Sequence, residues 1–208
     1  MEIKTSKELR DILNYERLRW RMLPITTRLG WFKTEIRFFL TLGSPYWYFY
    51  CLRNYEYYMQ FKGVMGGVKT LLRRYYGYKL RVLGFRTGIE LSPGVADIGV
   101  KVNHGKCIVS KVAKLGRDTE IVGDVTIGGV GGKRDVKGAP KIGNRVFIGT
   151  GARIIGPVHI ADGVVIGANA VVNKDILEND ITVAGVPAKK IKDVGSKDLI
   201  RSAQTGWK

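Results

Sequence analysis

From Val109 onward the apolar positions of this chain recur at every sixth residue. Val109, Leu115, Ile121 and Ile127 keep that step, and after a break Ile142, Ile148, Ile154, Ile160, Ile166 and Val172 resume it. The residue after the apolar one is usually small: Gly116, Gly128, Gly143, Gly149, Ala161, Gly167. The fifth position of each hexad is small or β-branched, as at Ala113, Thr119, Val125, Val146, Ala152, Val158, Val164, Ala170 and Ile176. A helix repeats at 3.6 residues and a half-buried strand at 2, so neither demands a rule at six. A coil that turns a corner every six residues does. It points one apolar side chain per flat face inward and uses a small residue to let the chain turn. Residues 91–176 are therefore predicted to form such a coil. Within it, Gly128–Pro140 (GGVGGKRDVKGAP) breaks the count, because Ile127 and Ile142 lie fifteen apart. A Gly-rich, basic insertion between two runs in step predicts a protruding loop over 129–141.

The pattern before residue 90 is different. Of the 21 aromatic residues 19 lie there, and only Phe147 and Trp207 follow. Helices are predicted over Lys7–Met22 (ended by Pro24), Thr34–Leu42 and Tyr46–Phe61. VKTLLRRYY, Val68–Tyr76, predicts a short basic helix, with Leu80–Leu83 as a first strand. The expected organisation is a helical, aromatic and basic region over 1–85, the coil over 86–192, and a polar tail over 193–208. From Ser196 onward weak order is expected. The longest apolar-rich stretch, Phe38–Leu52, is interrupted by Gly43, Ser44 and Pro45 and is too short for a membrane span of about 20 residues. The charged N-terminus lacks the apolar core of a signal peptide.

Charge and cysteine usage narrow the picture a little. The formal net charge is +17, and the basic excess runs through both halves, so anionic partners are favoured: phosphates, nucleic acid, acidic lipid or acidic glycan. Cys51 and Cys107 are far apart and make no disulfide framework, which fits a reducing cytoplasm. Only two histidines are present, His104 and His159. His104 sits in Asn103-His104-Gly105, where the position six before Val109 holds Asn instead of an apolar residue. A polar residue there marks either a distorted first coil or a site. His159, at the last hexad position, should face outward.

The hexads, the segment VNHGKCIVSKVAKLGRDTEIVGDVTIGG, the segment APKIGNRVFIGTGARIIG and the closing VAGVPAKKI resemble the hexapeptide-repeat acyltransferases. The match covers about residues 85–192 and is best to the serine acetyltransferase-like branch that includes bacterial polysaccharide O-acetyltransferases. The resemblance implies a mainly β fold, a left-handed parallel β-helix with an N-terminal helical region. It also implies homotrimers, with acetyl-coenzyme A lying between neighbouring coils. By position, His104 matches the family's catalytic histidine and Asn103 stands where the family has an aspartate. Cofactor contacts carried over are Gly129, Val130, Thr150 and Ala168, while Lys189 and Lys190 could meet the coenzyme's phosphates. A backbone N–H of the Gly128–Gly129 turn could hold the oxyanion.

Transfer of an acetyl group to a hydroxyl needs a base near neutral pH, and histidine suits it. Two imidazoles are too few for the three-histidine zinc site known on this coil, so no metal is expected. Serine acetyltransferases carry a second histidine before Pro-Lys-Ile, where this chain has Ala139. With Asn103, that departure favours a sugar hydroxyl of a bacterial surface polysaccharide as acceptor. The rivals are serine O-acetylation in cysteine synthesis and a non-catalytic scaffold. For residues 1–80 three roles compete: a helical cap on the coil end, peripheral contact with an acidic membrane at its inner face, and nucleic-acid binding, for which no recognised module is present.

Overall fold

The structure is a computed structural model that describes residues 2–20, 22, 27, 30, 44–61, 67–129 and 138–200. Pro24 and the expected helix Thr34–Leu42 lie outside the described residues. The chain divides into two compact units at the Ile89–Glu90 junction.

The first unit is helical: α1 (Ser6–Arg19), α2 (Pro45–Tyr58) and α3 (Gly67–Thr87). Thr5 caps α1 by accepting the Glu8 N–H at 3.1 Å, and Ser44 caps α2 with Pro45 in its first turn. The Ser-Pro pair that breaks the apolar stretch is thus a helix start. The predicted strand Leu80–Leu83 is not formed, and α3 runs through it. Tyr76, Lys79, Leu80, Leu83 and Thr87 are its buried residues, at the three- and four-residue steps of one helical face. The first strand, β1, is Ile89–Glu90. Gly77 lets α2 and α3 approach closely, because a Cβ there would stand 2.9 Å from the Tyr55 ring. The aromatic run of α2 is core: Tyr46, Trp47, Tyr48, Phe49 and Tyr50 are all buried. Tyr58 of α2 stacks on Tyr76 of α3 at 5.8 Å and 6°. Arg53, fully buried, binds Glu16 of α1 at 2.8 Å and Glu56 at 2.9 Å. Burial alone would lower the pKa of that guanidinium, but Glu16 and then Glu56 hold it above its ordinary value.

The second unit is a stack of short parallel strands. They are β2 (Lys101–Val102), β3 (Cys107–Val109), β4 (Lys114–Leu115), β5 (Glu120–Ile121), β6 (Val125–Gly128), β7 (Lys141–Ile142), β8 (Phe147–Ile148), β9 (Arg153–Ile155), β10 (His159–Ile160), β11 (Val165–Ile166) and β12 (Val171–Val172). Consecutive strands fall on three faces in rotation. One face stacks β4, β7 and β10, the next β2, β5, β8 and β11, and the third β3, β6, β9 and β12. Ile142 pairs with Ile160, Ile148 with Ile166 and Ile154 with Val172, each eighteen residues on, so three hexads make one coil. Leu115 pairs with Ile142 across twenty-seven residues, so the loop adds nine and leaves the register intact. Each face buries two side chains, not one: Val146 and Ile148, for example, are both fully buried.

Two of the three corners turn through left-handed residues, one per coil. One column holds Lys106, Asp124, Gly151 and Asn169; the other holds Gly99, Asp118, Arg145, Gly163 and Asp180. Asp and Asn tolerate this conformation better than other side chains. At the far end β13 (Thr182–Ala184) continues the β11 face in parallel, and β14 (Lys189–Lys192) returns antiparallel to it. The tail is better anchored than expected. Ser196 is buried and hydrogen-bonds the Arg145 carbonyl, and Ile200 is buried too. Residues 201–208 lie outside the described set.

Candidate active site

The His104 corner contains one residue more than its neighbours. Val102, fully buried, pairs with Ile121 across nineteen residues, where a standard coil spans eighteen. The core position is therefore Val102 and not Asn103, which corrects the hexad count. The extra residue lies in Asn103–Lys106, and Lys106 makes the turn at φ 60. The His104 N–H donates to the Val122 carbonyl at 3.0 Å, and its side chain is exposed. Gly123 packs directly against this corner at φ 141: a Cβ there would stand 2.8 Å from the His104 carbonyl oxygen. The Asn103 N–H donates to the Ile121 carbonyl at 2.8 Å, and its amide nitrogen donates to Glu120 Oε1 at 2.6 Å. Lys101 Nζ is 3.8 Å from the same oxygen. Glu120 went unnoticed in the sequence, because only the pairing of β2 with β5 brings it beside Asn103.

From this corner a single edge runs along the stack. The Gly123 carbonyl accepts from the Gly151 N–H and from the Thr150 hydroxyl, both at 3.1 Å. The Thr150 carbonyl in turn accepts from the Asn169 N–H at 2.8 Å, which puts Ala168 one coil further on. His104, Thr150 and Ala168 thus lie on one edge, with Gly123 between the first two, and all three are exposed. Beyond Ala168 the edge is closed by Gly185–Ala188, whose ends bond the Val171 backbone at 3.0 and 2.8 Å. Lys189 follows, opposite Ala184, and is exposed. Lys190 is already engaged: its Nζ lies 2.5 Å from both Glu178 and Asp193. Hydrogen bonds to Asp193 and then Glu178 hold its pKa above the ordinary lysine value.

Gly129 is elsewhere. It follows β6, so within one chain it belongs to the next corner, six residues and at most about 20 Å along the face from Gly123. A Cβ at Gly129 would stand 2.6 Å from the Gly138 carbonyl, so the two feet of the protruding loop nearly touch. Val130 lies outside the described residues. Ala139 is buried at the returning foot, and the Pro140 carbonyl accepts from the Lys114 N–H at 3.1 Å. His159 faces outward, as expected, and its N–H donates to Asp175 at 2.8 Å. Cys107 is buried and its thiol is pushed up to about 12 by burial, so it is no nucleophile. Among the described residues no group of three His, Cys, Asp or Glu side chains is placed to hold a metal ion.

Residues 139–174 match the bacterial transferase hexapeptide (six repeats) family. The chain is similar to serine acetyltransferases. Over 109 residues it is 41% identical to the serine acetyltransferase of Helicobacter pylori (strain J99), a match covering 51% of this chain and 63% of that protein. Over 111 residues it is 41% identical to the serine acetyltransferase of Mycobacterium tuberculosis, covering 50% of this chain and 46% of that one. The chain thus spans about half to just under two thirds of the length of these relatives. The crystal structure of Neisseria gonorrhoeae serine acetyltransferase in complex with serine shares the fold, with a TM-score of 0.60 and 25% identity over 89% of this chain and 70% of that one.

These similarities overturn the expected polysaccharide acceptor. The two sequence arguments against serine also lose their force in the structure. Asn103 does not leave its corner without a carboxylate, since Glu120 supplies one 2.6 Å away. Ala139 is buried at a loop foot, so its identity alone does not decide the acceptor.

Proposed function

We propose that this chain is an acetyl-coenzyme A-dependent serine O-acetyltransferase. The observation that carries the proposal is the 41% identity to serine acetyltransferases over about half of the chain. The stack is taken to be left-handed, as in the hexapeptide-repeat acyltransferases that it resembles.

The chemistry follows from the corner. The His104 imidazole takes the proton from the serine hydroxyl as that oxygen attacks the acetyl carbonyl carbon. The carbon–sulfur bond breaks, and the proton passes from the imidazolium to the departing coenzyme A sulfur. The products are O-acetylserine and free coenzyme A. Asn103, held by Glu120, fixes the loop on which the imidazole rides, and the Glu120 carboxylate offers a partner for the ammonium of the acceptor. An extended pantetheine arm fits an edge whose exposed residues are as small as Thr150 and Ala168. Lys189, at the end of that edge, meets a phosphate as a point charge; Lys190 is less suited, because two carboxylates already neutralise it.

Gly129 joins this site from a neighbouring chain. One chain separates its loop foot from its own His104 edge by a full face, so a cyclic trimer in which each edge meets the next chain's loop reunites them.

The test is an assay of L-serine with acetyl-coenzyme A, following thiol release and O-acetylserine. Turnover of serine is expected, falling about 10²- to 10⁴-fold in His104→Ala with the far-UV circular dichroism unchanged. Failure of the parent protein to acetylate serine, or near-normal turnover by the variant, overturns the proposal. Lys189→Glu should raise the KM for acetyl-coenzyme A and leave that for serine in place.

A further inference from the structure

The α3 helix carries two apolar faces, and only one of them is buried. Tyr76, Leu80 and Leu83 pack inward. On the other side Val68, Leu71, Tyr75, Tyr78, Val82 and Phe85 alternate steps of three and four residues, the spacing of one continuous helical stripe. This stripe faces out: Val68 is 71% exposed, Leu71 63%, Tyr78 62% and Phe85 92%. A row of large apolar side chains so exposed calls for an occupant.

Charge selects that occupant. From Gly67 to Thr87 the helix contains six Lys and Arg residues and no Asp or Glu. Arg74 and Arg81 flank the stripe on one side and Arg86 flanks it on the other; all three are exposed. Pairing with a second copy of the same helix, parallel or antiparallel, would set arginine against arginine or lysine along both seams. An anionic surface meets the same pattern favourably. Three aromatic rings among aliphatic residues, bordered by arginines, match the boundary between acyl chains and acidic headgroups. The helix is suited to lying in that boundary, not to crossing it, since no described helix is long and apolar enough to span a membrane.

We propose that the outward stripe of α3 is a docking surface for an anionic lipid membrane. The buried Trp and Tyr residues of α2 take no part; the contact belongs to Leu71, Tyr78 and Phe85 with their flanking arginines. This site is separate from the acetyl-transfer edge and does not depend on the acceptor.

The experiment is co-sedimentation of the full chain with vesicles of phosphatidylcholine alone and with vesicles that also contain about 30% phosphatidylglycerol. Binding is expected to the acidic vesicles only, and to weaken in high salt. A variant with Arg74, Arg81 and Arg86 all changed to Gln should lose binding on the order of 100-fold, about fivefold per charge. Leu71→Ser with Phe85→Ser should also release the protein, with unchanged circular dichroism, since both side chains are already in solvent. Equal binding to neutral vesicles, no binding to either, or variants that bind like the parent overturns the proposal. So does a fall in oligomer mass by light scattering in the Leu71→Ser, Phe85→Ser variant, which would show a second copy to be the occupant.

Discussion

The two units of this chain solve the same problem with opposite means. The coil buries small and branched side chains at fixed intervals and repeats one backbone bonding pattern from coil to coil. The helical unit has no repeat. It packs rings edge-on, as between Trp47 and Tyr50 at 5.6 Å and 84°, and ties α1 to α2 through a buried arginine between two glutamates. In the coil a neighbour can stand in for a lost contact, because every layer resembles the next. In the helices each contact is singular, and its loss should spread.

Arg53→Met tests that contrast most severely. It leaves Glu16 and Glu56 buried without their cation and should cost about 3–5 kcal/mol, read as a drop in the urea midpoint. A loss under 1 kcal/mol would show that the network is not integral to the helices. In the coil, Ile148→Ala should cost about 2–5 kcal/mol by opening a cavity, with the loss at the lower end if the layers above and below close in. Gly123→Ala joins stability to chemistry. The strained φ and the 2.8 Å approach to the His104 carbonyl should cost about 1–3 kcal/mol and reduce turnover by displacing the imidazole. Gly77→Ala, which meets only the Tyr55 ring, should leave turnover alone.

Alkali separates the units more finely. Burial lifts Cys107 in the coil from an ordinary value near 9 to about 12, and lifts Tyr46 in the helices from 10 to about 12 against the opposing pull of Arg17. In both cases the unfolded chain loses its proton first. The associated stability is intact below the unfolded value and drains away as pH climbs to the folded one. The coil should start to weaken near pH 9 and the helices near pH 10, by at most about 1.4 kcal/mol per pH unit and group. Cys107→Ala should abolish the earlier loss in a denaturation series from pH 8 to 11; persistence of that loss would assign it to another group. Lys190→Ala, at the exposed end, should not move the melting temperature measurably.

The coil was open to inspection in the sequence because its rule is local. Ile142 to Val172 declare the layers, and the fifteen-residue gap declares the loop. What stayed hidden depends on pairing between layers. Counting back six from Val109 lands on Asn103, and only the partnership of Val102 with Ile121 shows that the count slips by one. Glu120 is an ordinary outward strand residue until that same pairing sets it against Asn103. Gly129, expected as a cofactor contact alongside Thr150 and Ala168, lies at another corner of this chain. In the helical half the obstacle was ambiguity. KLRVL is short enough to suit strand or helix, and the step of Tyr76, Leu80, Leu83 and Thr87 decides it only once Tyr58 and Tyr55 are in place against them. Ring-rich composition left an interior and a surface role both open for α2, and its rings fill the interior. The expected sugar acceptor rests on Asn103 and Ala139, and neither residue shows in the sequence that Glu120 stands beside the first or that the second is buried at a loop foot.

The seven-residue step from Val102 to Val109 has a wider consequence. A ladder of parallel strands forbids a change of length within a face but tolerates one at a bend, where the pairing of one face gives way to that of the next. Shortening this bend by one residue would restore the eighteen-residue step between β2 and β5 at little cost to folding, and would draw the imidazole back along the prism. The scaffold and the reach of its base are therefore separately adjustable, and a change at one bend can reset the chemistry while every layer beneath stays where it was.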